Sequence, residues 1–382
     1  MRAKFFYSLG HIFIEEKWMS ARNEAKQIYI TLSSHFGQPK SKILPKILEK
    51  LITIEEAKIL LLLPSTPEEM SKKVNVPVSE VTRTLENLFK RGLVLRQKNQ
   101  DGDVYALCGN LIDSVLFEIG QRMKQRKISQ KDLEIIKLWD ELFETEIMRE
   151  KTPADNVQTA RVIPVKKFIE VKTVILPYED ITEIIKCSNV IAVAQCPCRT
   201  RARRCNNPLE TCILLNETAN ILIERGVAKG ISCEEALNIL EQCEELGLVH
   251  HVDNASEGFN FICNCCPCCC FFLRGLILYG KRNNAKSRYI SVIDREICNG
   301  CGVCKKRCVF GAIEIIDRKA SSDPDKCFGC GLCATKCPTQ AIKLKPIRSE
   351  DYIPKGKARS LLPPLPPHDV LLENLKRAGF NI

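Results

Sequence analysis

The chain has 382 residues, enough for two to four domains, and 45% of them are hydrophobic, enough for ordinary buried cores. The net charge of +11 is moderate for this size, and the outlier is cysteine, with 22 residues. A secreted disulfide protein would use cysteine as heavily, but residues 1–19 hold no sustained apolar region and no small-residue cleavage site. No stretch approaches about 18 uninterrupted apolar residues, so no spanning helix is expected. The composition points to a reducing cytoplasm, with thiolates used for metal.

Residues 1–50 read as N-terminal helices. Met19 to Phe36 lacks glycine and proline, Gly37-Gln38-Pro39 stops it, and a second helix follows from Leu44 or Pro45. In 51–110, Thr53-Ile-Glu-Glu56 and Thr66-Pro67-Glu68-Glu69 are capping boxes. They open two helices, and a third is expected over about Ser79 to Arg91. Leu93–Arg96 and Val104–Leu107 then form a hairpin around an Asp101-Gly102 turn. Three helices and a hairpin is the order of a winged helix. Its DNA-binding reading would use Arg83, Lys90 and Arg91 on the third helix and Arg96 and Lys98 beside the wing. Glu80 and Glu86 on that helix speak for a packing or protein-contact module instead. Residues 111–160 read as a helical connector, broken near Lys127-Ile128-Ser129, and a polar linker at Thr152–Thr159.

Residues 161–287 read as a cysteine-rich α/β domain. Strands are expected at Val162–Val165, Val171–Ile175, Val190–Ala194 and Leu248–Val252, and through Phe259–Ile262. Short helices are expected at Ile181–Cys187, over Leu209–Arg225, and from the cap Ser232-Cys-Glu-Glu235 to Gly247. Two knots of cysteine follow strands. The first is Cys196, Cys198, Cys205 and Cys212, among Arg199, Arg201, Arg203 and Arg204, whose guanidinium groups would stabilise thiolates. The second is Cys263, Cys265, Cys266, Cys268, Cys269 and Cys270. Six cysteines in eight residues cannot all ligate one cluster, because adjacent side chains point apart. Together the knots supply more than four thiolates, so at least one further iron–sulfur cluster is expected here, with a structural zinc or a redox thiol pair as alternatives. Cys108, Cys187, Cys233 and Cys243 read as buried fillers, and His250 and His251 as strand positions.

Residues 288–346 carry the strongest signal. Cys298, Cys301, Cys304 and Cys308 are spaced x2, x2, x3, and Cys327, Cys330, Cys333 and Cys337 repeat them at an offset of 29 residues. Asp294 and Gly311-Ala312-Ile313 recur as Asp323 and Gln340-Ala341-Ile342, the mark of a duplicated unit. Three cysteines two residues apart can wrap three corners of a cubane, and in the two-cluster arrangement the fourth ligand comes from the other half. One [4Fe–4S] cluster is thus expected on Cys298, Cys301, Cys304 and Cys337. The other is expected on Cys327, Cys330, Cys333 and Cys308. Zinc knuckles pair C-x2-C with a distant pair and do not need this series twice. The segment resembles the bacterial-type two-cluster [4Fe–4S] ferredoxins, departing at Val309, where that family usually has a proline. Between Arg288 and Lys345 eleven basic residues outnumber six acidic ones, including Lys305-Lys306-Arg307, which would favour an acidic partner. In 347–382 a Pro-rich spacer, Leu362–Pro367, precedes a short docking helix.

Most of the chain is similar to an uncharacterised iron–sulfur protein family of anaerobes with a winged-helix-like front, two cysteine knots and a terminal ferredoxin. That resemblance implies redox function and leaves the reaction open. The expected fold is a multidomain α+β chain. The expected function is electron transfer with a redox partner protein. The alternatives are an oxidoreductase working at the middle-domain cluster and a redox-sensing winged-helix regulator on DNA. No nucleophile–base pair, P-loop or dinucleotide fingerprint marks an enzyme.

Overall fold

The computed structural model describes residues 26–98, 102–109, 111–149, 157–170 and 173–359. The start of the expected N-terminal helix, most of the linker and the Pro-rich tail with its docking helix lie outside the described residues. The described chain mixes helices and sheets and forms two compact units. One holds residues up to Val115 together with Ser129–Glu146, and the other holds Leu116–Ile128 and residues from Ile147 onward.

The first unit begins with α1 (26–35), ended by Gly37 at φ +74°. α2 (Leu44–Leu51) buries Leu44, Ile47 and Leu48. α3 (Ile54–Leu61) and α4 (Pro67–Val74) each start with a complete capping box, Thr53 with Glu56 and Thr66 with Glu69. Each box satisfies two N–H groups that a helix start leaves without partners. α5 (Val78–Lys90) turns Val81, Leu85, Leu88 and Phe89 inward at helical spacing. β1 (Val94–Gln97) and β2 (Val104–Leu107) pair antiparallel, and Ser65 bridges to Tyr105 on the hairpin. Residues 99–101, with part of the expected turn, lie outside the described residues. The expected connector is shared between the units: α6 (Leu111–Lys124) runs into the second, while α7 (Gln130–Leu142), capped by Ser129, packs on α2 in the first.

The second unit is built on a seven-stranded sheet. Its strands are β3 (Ala160–Val162), β4 (Ile191–Gln195), β5 (Glu210–Leu215), β6 (Ala228–Gly230), β7 (Val249–Asp253), β8 (Phe261–Cys265) and β9 (Asn284–Ala285). Their order in space is 6-4-5-8-7-3-9, and every neighbouring pair is antiparallel except β3 with β9. Alternation along β5 sends Ile213 and Leu215 into one apolar layer, with Ile181, Ile185 and Leu240. Cys212 and Leu214 go into the other, with Ala192, Leu222 and Phe117. The surrounding helices are α8 (Ile181–Lys186), α9 (Pro197–Ala202), α10 (Asn216–Glu224), α11 (Cys233–Glu245) and α12 (Phe271–Tyr279).

The structure departs from the expected elements at three places. The single helix over Leu209–Arg225 is strand β5 followed by α10, because Thr211 to Leu215 fill the sheet between β4 and β8 and Asn216, at φ +54°, turns the chain. The strand over Val171–Ile175 is absent from its described part, 173–175; Val174 is 67% exposed and has no sheet face to cover. Not all four isolated cysteines are fillers: Cys108 and Cys243 are buried, but Cys187 is exposed and Cys233 half-buried.

The duplicated segment folds as the repeat dictates. β10 (Tyr289–Ile293) pairs with β13 (Ile342–Pro346), and β11 (Ile313–Ile316) with β12 (Lys319–Ser322). Each two-stranded sheet therefore takes one strand from each half. Asp294 and Asp323 do the same work in both halves. Their backbone N–H groups bond to Ala341 and Ala312, and their carboxylates accept from the backbone N–H of Glu296 and Asp325. The segment is joined to the rest of its unit by Val165 N–H to Cys330 O and Glu170 N–H to Leu344 O. A buried ion pair adds to this: Arg288 Nε lies 2.7 Å from Glu179, which is 2% exposed and also accepts from Tyr289. Replacing Glu179 by Gln leaves the Arg288 charge buried without a counter-charge. This should cost about 3 kcal/mol, read as a lower urea midpoint at unchanged slope.

Candidate metal centres

Two cavities open in the duplicated segment. One is lined by Cys298, Cys301, Cys304 and Cys337, the other by Cys308, Cys327, Cys330 and Cys333. Each holds three cysteines of one half and one of the other. Every cavity wall offers four soft donors and little else that is charged, the donor set an iron–sulfur cubane takes.

Backbone amides point at these sulfurs. Ala320 N–H donates to Cys298 Sγ at 3.4 Å, and its repeat equivalent Ser291 N–H donates to Cys327 Sγ at 3.5 Å. Ala312 N–H donates to Cys308 Sγ at 3.3 Å. The Ala320 bond holds the Cys298 thiol below its usual range. Burial pushes Cys330 up to about 12 and raises Cys333 strongly. The two sites differ in cover. Cys301 is exposed, whereas the second site lies under the stacked rings of Phe310 and Phe328, 4.4 Å apart. Lys305 and Lys306 are exposed beside the first site. Arg307 is turned inward to the carbonyls of Leu332, Glu244 and Glu245, so it is a strut rather than a surface charge. These amide donors carry no side-chain signature; only the offset of 29 residues, which relates 291 to 320, marks them in the sequence.

The ten knot cysteines divide into two groups, each drawing on both knots. β8 alternates, so Cys263 and Cys265 share one face and Asn264 takes the other. Cys270, the residue before α12, returns to the first face. These three meet Cys196, Cys198 and Cys212. Cys263 hydrogen-bonds with Cys212 and Cys265, and Cys198 with Cys196 and Cys270. These bonds, from Cys196 first and then Cys270, pull the Cys198 thiol well below its usual range, helped by Arg201. The bonds from Cys212 and Cys265 bring Cys263 to about 5. Phe271 N–H also donates to Cys198 Sγ, at 3.4 Å. On the other side lie Cys205, Cys266, Cys268 and Cys269, whose four sulfurs are all within 4.8 Å of one another.

Arg199 runs between the groups. It is 2% exposed and donates to Thr211 Oγ1 at 2.6 Å and to the carbonyls of Pro208 and Asn264. Burial opposes its charge, but Cys196 and Cys266 hold its pKa above normal. Arg201 is buried and donates to Cys269 O, while Arg203 and Arg204 are exposed. His250 and His251 are both buried in β7. His250 Nδ1 lies 2.6 Å from Asn264 Oδ1, and His251 Nε2 lies 2.8 Å from Asn284 Nδ2.

The five basic residues considered for DNA are placed unevenly. Arg91 pairs with Glu56 at 2.6 Å and donates to Leu51 O. Arg96 pairs with Glu86 at 2.6 Å and lies over the Phe89 ring. Arg83 lines a groove shared with Glu55, Glu56 and Glu80. Lys90 and Lys98 sit at the end of α5 and just past β1. The two arginines are spent on holding α3, α5 and the hairpin together.

Two glycines in the duplicated segment leave no room for a Cβ without a shift of the neighbouring backbone. A Cβ on Gly300 (φ +73°) would lie 2.0 Å from Arg318 O, and one on Gly329 (φ +68°) 2.1 Å from Tyr289 O. Gly302 has φ +74° but open space around it. Gly302→Ala should cost about 1–2 kcal/mol from backbone conformation alone. Gly300→Ala should cost clearly more and lower the iron bound per chain, checked by denaturation and iron analysis side by side.

Comparison with known proteins adds one finding. The family model described as the 4Fe-4S binding domain (Fer4) matches residues 320–343, the stretch that runs from β12 through Cys327, Cys330, Cys333 and Cys337 to β13. No curated protein and no solved structure matches the chain. No helix among the described residues is long and apolar enough to cross a membrane. The 4Fe-4S match and the cysteine groups support an iron–sulfur protein.

Proposed function

We propose that this chain is an electron-transfer protein with two [4Fe–4S] clusters in its duplicated segment and a further iron–sulfur cluster in the sheet domain. Cys298, Cys301, Cys304 and Cys337 would hold one, and Cys327, Cys330, Cys333 and Cys308 the second. Cys196, Cys198, Cys212, Cys263, Cys265 and Cys270 would supply the ligands of the third. When bound, the clusters supply reversible one-electron exchange. The chain's own residues hold them, shield them from water and offset their negative charge with N–H donors.

One observation carries the reading. A single apolar cluster built on Val162, Val165, Val249 and Leu273 packs against Cys330 and Phe328 of the duplicated segment and contains Cys265 and Cys270 of the sheet domain, with Cys263 beside it. The two thiol sites thus border one apolar cluster, which a merely structural metal site would not require. Lys305 and Lys306, exposed beside the less covered site, suit a redox partner with an acidic surface.

A second reading has its own observation. Six thiols stand where a cubane takes four, which leaves room for a cluster of another type or an iron with an exchangeable ligand, and so for an oxidoreductase. An added ligand that shifts only the EPR signal of the third cluster would support it.

Anaerobically purified protein should carry about twelve irons and matching sulfide and be reduced and reoxidised reversibly in potentiometric titration. Failure to cycle would remove the electron-transfer reading, and about eight irons would remove the third cluster. The crosswise ligand assignment has a separate check. Cys337→Ser should alter the EPR signature of the cluster on Cys298, Cys301 and Cys304, and Cys308→Ser that of the other; the reverse pattern would overturn it.

A further inference from the structure

We propose that Cys205, Cys266, Cys268 and Cys269 form a closed tetrahedral site for a single zinc ion, separate from the iron–sulfur clusters. The site does not depend on the electron-transfer reading, which uses the other cysteines.

The spacing of the sulfurs carries the inference. Cys205 Sγ lies 3.8 Å from Cys266 Sγ and 3.8 Å from Cys269 Sγ, and Cys268 and Cys269 are 3.7 Å apart. All four fall within 4.8 Å of one another. A tetrahedron with metal–sulfur bonds of about 2.3 Å has edges of about 3.8 Å. A cubane places its thiolates on four separate irons, farther apart than any of these contacts. The sulfurs of the duplicated segment instead line two pockets, four to each, and among the described residues no other group of cysteines is gathered as closely as these four. Four soft thiolates in a tight tetrahedron suit zinc.

The surroundings are those of bound thiolates. Asn207 Nδ2 donates to Cys205 Sγ at 3.4 Å, the Arg204 backbone favours the Cys269 thiolate, and the Arg199 guanidinium favours that of Cys266. Hydrogen bonds from outside the ligand shell fix and neutralise such sulfurs. Cys243 and Leu248 close the site on its apolar side without joining it. The ligands come from two loops, one after α9 and one after β8. A metal there would tie the loops together and set Cys196 and Cys198 against Cys265 and Cys270. With four protein ligands and no open position, its role is structural.

The test is zinc analysis and zinc K-edge absorption on the full-length, anaerobically purified protein. The expected result is one zinc per chain, surrounded by four sulfurs at about 2.3 Å, in protein that also carries at least about eight irons, so that zinc has not replaced a cluster. Cys205→Ser and Cys269→Ser should each abolish bound zinc and leave the EPR signals of the duplicated segment in place, while Cys196→Ser should leave zinc unchanged. Absence of zinc, nitrogen or oxygen in its shell, mononuclear iron in its place, or equal zinc loss in Cys196→Ser would each overturn the proposal. The wild-type spectrum decides the matter even if a variant does not fold.

Discussion

Sulfurs gathered to bind metal repel one another as thiolates, and burial makes each charge more costly. The rest of the second unit answers that constraint. In the duplicated segment the answer comes from the backbone: the N–H groups of Ala320, Ser291 and Ala312 are aimed at sulfur by the strands that carry them. Gly300 and Gly329 must then pass hard against the carbonyls of Arg318 and Tyr289. In the sheet domain the answer comes from arginine, with Arg199 buried against Cys266 and its remaining hydrogen bonds taken by neutral groups.

The antiparallel sheet turns scattered cysteines into organised ones. β4, β5 and β8 are neighbours, so Cys196 just past β4, Cys212 in β5 and Cys263 and Cys265 in β8 come together. The two-residue period of β8 sorts its cysteines, keeping Cys263 with Cys265 and leaving Cys266 to leave the strand on its own course. Register decides this: a slip of one residue between β5 and β8 would exchange the faces and break both groups.

The same packing gives the duplicated segment a fixed place on the sheet domain. Bonds from Val165 and Glu170, the strut of Arg307 and the buried Arg288–Glu179 pair tie it down at several points. An electron carrier gains from such rigidity, because little has to move when its charge changes.

How much was legible in the sequence depended on how local the cause was. The capping boxes at Thr53, Thr66 and Ser232 act within four residues, and helices begin there. The offset of 29 residues between the two cysteine series is written in the chain, and the strand pairing follows it. Thr211 to Leu215 suit a helix or a buried strand equally well, and only the partners β4 and β8 decided for the strand. The division of ten cysteines into a group of six and a group of four was likewise not readable. Cys205 and Cys269 lie 64 positions apart, and their contact at 3.8 Å exists only because the sheet folds one loop back over the other. Donor chemistry and short spacing are local and mark the residues that suit a metal; strand order and register are not local, and they choose which of those residues share a site.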